Sequence, residues 1–124
     1  MKVLSIIEIA GHPKEHIEEI MKGLIAKIKG ERKVLRYNIF EAQQKEKIFH
    51  TFAEVEIDFS SFENLFGFCL DYLPTSIEFI DVKDIQIKRE ELEVGVNDLL
   101  LKLQEDNMLI KRLKAEILFM KQGK

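Results

Sequence analysis

From Arg89 to Gln122 the chain has no proline and a single glycine, Gly95, and its apolar residues recur by alternating steps of four and three. Leu92, Val96, Leu99, Leu103, Asp106, Ile110, Leu113, Ile117 and Met120 form this series, and only Asp106 breaks its apolar character. Such spacing is a heptad seam on one α-helix, sustained over about four heptads. At 1.5 Å per residue the helix would run roughly 50 Å, against the ~25–30 Å span of a small domain. One domain cannot cover that stripe, so the seam is expected to meet another chain, most simply a second copy. The competing expectation is a bend near Glu105-Asp106-Asn107 that folds the helix back over its own domain. Asp106 would be a costly buried charge on the seam, and so marks a break or a register-setting point.

The preceding residues read as alternating strands and helices. Lys2 to Ala10 is rich in Val and Ile and suits a largely buried strand. Gly11-His12-Pro13 interrupts it, and Ile17, Ile20, Met21, Leu24, Ile25 and Ile28 follow at helical spacing. Glu15, Glu18 and Glu19 lie early in that helix and Lys22, Lys27 and Lys29 late, which suits the helix dipole; Gly30 is the expected stop. A second strand is expected over Lys33 to Glu41, a polar turn over Gln43 to Glu46, and a third strand over Lys47 to Phe59. In that third strand apolar residues alternate with His50, Phe52, Glu54, Glu56 and Asp58, so one sheet face is buried and the other largely wet. Ser60 and Glu63 form a capping box for a second helix that stops before Pro74. Ser76 to Val82 reads as a fourth strand, with Asp84 to Lys88 as its extension or a short fifth.

Strand, helix, hairpin, helix, strand resembles the ferredoxin-like βαββαβ sandwich over roughly Lys2 to Lys88. The expected class is therefore α+β, a ferredoxin-like sandwich with a long C-terminal helix, divided into 1–88 and 89–124. Asp71-Tyr72-Leu73-Pro74-Thr75-Ser76-Ile77-Glu78 also resembles a segment of uncharacterised archaeal proteins.

Composition narrows the function. Nineteen basic and 22 acidic residues leave a net charge of -3, which argues against a dedicated nucleic-acid binder. Tyr37 and Phe52 could stack a base, but the Glu54/Glu56/Asp58 row repels phosphate. Hydrophobic residues make up 46% of the chain, enough for a packed core, yet no run is long enough for a membrane helix. The lone cysteine, Cys69, excludes an internal disulfide and fits a cytoplasmic location. Phenylalanines at 66 and 68 surround it, with no adjacent base, so it reads as a core thiol.

Two constellations could carry chemistry. His12 and His16 stand four apart beside the end of the first strand, where Glu8 or Glu15 could complete a metal site. H-x-x-x-H alone falls short of a ligand set, and a helix cap with an exposed His is the simpler account. Glu54, Glu56 and Asp58 share a strand face about 7 Å apart, with His50, and could hold a hard cation or pair with Lys33, Arg36 and Lys88. No nucleophile, base and orienting partner lie together in the sequence, so no catalytic residue and no cofactor are nominated.

The leading expectation is a non-enzymatic assembly module that self-associates, or binds an unidentified protein, through the seam and the sheet. The alternative is a small-molecule or metal sensor of the ACT type, a regulatory class of ferredoxin-like domain that binds ligands near the loop after the first strand. Gly11, His12 and His16 occupy that place, but the acidic residue and Pro-Gly pair usual in that class are not reproduced.

Overall fold

The computed structural model describes Met1–Gly123. The chain divides into two compact units, Met1–Gln86 and the segment from Ile87 onward.

The first unit is a mixed α/β layer structure. Its elements are β1 (Lys2–Gly11), α1 (Lys14–Glu31), β2 (Val34–Ile39), β3 (Gln43–Lys45), β4 (Ile48–Asp58), α2 (Phe62–Tyr72) and β5 (Ser76–Phe79). Among the described residues the strands form one antiparallel sheet in the order β2-β4-β1-β5, with β3 also paired to β4.

Register decides which side chains meet the helices. Val3 pairs with Ile57, Ser5 with Val55 and Ile7 with Ala53, and all six are buried. Because side chains alternate along a strand, this places one sheet face under cover. Met21, Ile25 and Ile28 of α1 pack there with Leu65 and Phe68 of α2 in a single core cluster. Phe68 is fully buried, with its ring edge-on to Phe59 at 5.4 Å and tilted against Tyr72 at 5.1 Å. Aromatic pairs at such separations and angles add to plain area burial. The opposite face carries Leu4, Ile6 and Glu8 of β1 beside His50, Phe52, Glu54 and Glu56 of β4.

Four local expectations change. Gln43–Lys45 is a strand rather than a turn; it continues the lane of β2 along the long β4, and Glu46 turns the chain at φ 60°. Gly30 does not end α1, which runs on to Glu31 and passes into extended backbone at Arg32. The cap of α2 is Ser61, whose Oγ accepts from the Asn64 backbone N–H at 3.1 Å, while the Ser60 Oγ accepts from the Asn64 side chain at 2.6 Å. Two adjacent serines offer the same acceptor, and the helix begins one residue later than a Ser60–Glu63 box requires. Asp84–Lys88 forms no strand.

The second unit is one helix, α3 (Arg89–Gln122), 34 residues long. Glu90 and Glu91 in its first turn and Lys121 in its last complement the dipole. The helix is unbroken through Glu105-Asp106-Asn107. Asp106 is accommodated by an ion pair with Lys102 one turn earlier, Nζ to Oδ1 3.4 Å.

Candidate functional site

Three regions stand out by residue type, and the structure treats each differently. The loop after β1 is governed by packing. A Cβ at Gly11 would stand 3.0 Å from the Ile17 side chain, so glycine there lets α1 close onto the end of β1. The His12 ring stacks on Phe49 at 6.1 Å, nearly parallel at 13°. His16 lies exposed in the first turn of α1, its backbone N–H donating to the Pro13 carbonyl. Glu8 turns elsewhere: its Oε1 accepts from the His50 Nδ1 at 2.7 Å. Among the described residues no group of three or more His, Cys, Asp or Glu side chains is placed to hold a metal ion.

The open sheet face is where the charges gather. Cross-strand pairing sets Arg36 opposite Glu56 and Asn38 opposite Glu54. The Arg36 guanidinium grips the Glu56 carboxylate with two nitrogens, Nε at 3.0 Å and one terminal nitrogen at 3.2 Å, and Glu56 is only 7% exposed. Such a two-pronged pair satisfies both carboxylate oxygens and fixes the geometry. Asp58 is held by the Met1 amino group at 3.0 Å, with Lys33 Nζ at 3.9 Å. The hydrogen bond from the amino group holds the Asp58 carboxyl below the usual carboxylate range. The acidic row is thus largely neutralised by its own neighbours. Leu4, Arg36, Asn38, Glu54 and Glu56 line a shallow hollow of about 330 Å³ on this face.

The Glu8–His50 pair sets an imidazole against a carboxylate, two groups that acid–base chemistry often uses together. No hydroxyl or thiol among the described residues is hydrogen-bonded to it; the neighbouring Thr51 hydroxyl faces the other way and donates to the Phe40 carbonyl at 2.7 Å. Cys69 is half-buried on α2, and burial pushes its thiol upward, the opposite of what a reactive thiolate needs. Tyr37 and Phe52 do not form a stacking platform. Tyr37 pairs with Val55 on the helix-covered side, under Lys29 at 4.6 Å, whereas Phe52 stands on the open side.

The third region is the seam of α3. All eight of its apolar residues, Leu92, Val96, Leu99, Leu103, Ile110, Leu113, Ile117 and Met120, are 45–69% exposed. No helix among the described residues is long and apolar enough to cross a membrane. The stripe runs the length of α3 as contiguous exposed apolar surface.

Sequence spacing assigns Glu8 to His12 and misses its partner His50. The only signal is that both belong to outward positions of their strands; that β1 and β4 are neighbours, in this register, comes from the fold.

These features define a class: an α+β sheet domain with two helices on one face, followed by a long amphipathic helix. The chain belongs to the MJ0538 family, whose sequence pattern it matches over residues 2–121. That match takes in both compact units, the long helix included. No curated relative and no solved structure matches the chain.

Proposed function

We propose that this protein is a non-enzymatic assembly module: a ferredoxin-like domain that self-associates through the heptad seam of α3. The ferredoxin-like assignment is supported by the antiparallel order β2-β4-β1-β5, with β3 continuing the β2 lane, and by both helices packing on one face. The self-association is supported chiefly by one observation, the exposure of eight apolar seam residues along an unbroken 34-residue helix. Leaving that much apolar area in water is unfavourable at roughly 25 cal/mol per Å², and pairing two seams removes it.

Sedimentation of the full chain at micromolar concentration tests the proposal. The parent protein is expected to run as an oligomer. Ile110→Asp puts a charge in the middle of the seam and is expected to give a monomer with an unchanged near-ultraviolet spectrum from the sandwich. A parent protein that stays monomeric at tens of micromolar overturns the reading. The sensor alternative draws on Gly11, His12 and His16, and carries less: Gly11 is accounted for by its approach to Ile17, and His12 by its stack on Phe49.

A further inference from the structure

We infer that the occupant of the α3 seam is α3 of a second copy running antiparallel, centred beside Met108. This rests on the assembly reading above and adds the direction and register of the pair.

The argument comes from the charges that flank the seam. The stepping puts Val96, Leu103, Ile110 and Ile117 at one core position of the heptad, and Leu92, Leu99, Asp106, Leu113 and Met120 at the other. In a parallel, in-register pair each residue of the core faces its own copy. Asp106 would then meet Asp106 in one layer, two carboxylates with little water between them. The flanking positions would give one attractive contact per side, Glu116 with Lys121, while Lys102 would meet the uncharged Asn107.

Reversing one helix about a twofold axis beside Met108 changes every one of these contacts. Leu103 faces Leu113 of the second copy, Ile117 faces Leu99, and Asp106 faces Ile110 instead of another carboxylate. Each Asp106 also keeps Lys102 of its own helix 3.4 Å away. At the flanks Lys102 meets Glu116 of the second copy and Glu93 meets Lys121, each twice by symmetry. Every charged flank pair is then of opposite sign. Sliding the antiparallel register by a heptad either way loses the Lys102–Glu116 contact, and sliding it toward the C-terminus also shortens the overlap.

Shape alone points the other way, because β-branched Val96, Ile110 and Ile117 alternating with Leu99 and Leu113 suit a parallel pair. Charge outweighs it here, since the shape preference concerns packing quality and the facing carboxylates concern an unpaired charge in a dry layer.

The test uses full-length chains carrying Cys69→Ala. Leu103→Cys and Leu113→Cys proteins, distinguishable by mass, are equilibrated separately and together in a glutathione redox buffer, and the same samples are sedimented. The antiparallel pair predicts a disulfide only in the mixture, joining one variant to the other. Disulfide homodimers in the separate samples overturn the inference and leave self-association standing, as does a dimer that forms no disulfide in any sample. A monomer throughout overturns both. Charge reversal needs no cysteine: Lys102→Glu and Glu116→Lys should each weaken association about tenfold. The double variant should associate more tightly than Lys102→Glu alone, which shares its loss of the Lys102–Asp106 pair, and an association no tighter than that also overturns the inference.

Discussion

The two units use the same apolar residues in opposite ways. In Met1–Gln86 the residues on the covered sheet face are closed off by two helices, and Val3, Met21, Val55, Ile57 and Phe68 have no exposure at all. In α3 the Leu, Ile and Val residues of the seam keep about half of their surface in water. A sheet with helices on one side makes an interior; one helix has only a surface. On the proposed assembly reading, stability belongs to the first unit and association to α3.

The sharpest way to break that comparison is Phe68→Ala. Removing a fully buried ring that packs on Phe59 and Tyr72 should cost about 3–5 kcal/mol, measured by urea unfolding. If the division of labour holds, the association constant measured on the still-folded protein should stay within twofold. A loss of association as large as the loss of stability would mean that the sandwich itself supplies the interface.

The opposite sign of effect is expected at Ser5. Its side chain is wholly buried against the helices, and its hydroxyl has no hydrogen-bond partner among the described residues. A buried, unpaired hydroxyl is destabilising, so Ser5→Ala should raise stability by about 1 kcal/mol. The same unfolding experiment reads it, and a loss instead would show that the hydroxyl is bonded after all, through a trapped water. Association should again not move.

How far such contrasts are legible in the sequence varies by element. The bounds of α3 are legible because no proline interrupts the segment and its periodicity is long. The faces of β4 are legible because Ala53, Val55 and Ile57 alternate with Glu54, Glu56 and Asp58. What stays hidden depends on pairing across the sequence. Gln43–Lys45 is three polar residues whose strand state comes from the neighbouring β4, not from their own propensity. Tyr37 and Phe52 look alike as aromatic strand residues until register puts them on opposite faces. The Glu8–His50 bond, likewise, joins residues 42 positions apart.

The smallest effect expected separates the sandwich's surface from its core. Lys14 and Glu41 form an ion pair at 2.6 Å that ties α1 to the segment after β2. The hydrogen bond from Lys14 holds the Glu41 carboxyl below its ordinary value, and the hydrogen bond from the Met1 amino group does the same for Asp58. A carboxyl whose folded pKa is depressed contributes stability above its unfolded pKa, near 4, and loses it as pH falls through the lower folded value. Glu41→Gln should therefore lower the urea midpoint slightly at pH 7, and the gap to the parent should close as the pH falls through and below the ordinary carboxylate range. The Glu41 carboxylate is open to solvent, so salt should shrink the gap as well. A gap that persists unchanged at low pH would mean that the substituted amide disturbs packing around the buried Ala42, whose N–H donates to Glu18 at 3.1 Å, and that this edge of the sandwich belongs with its core rather than its surface.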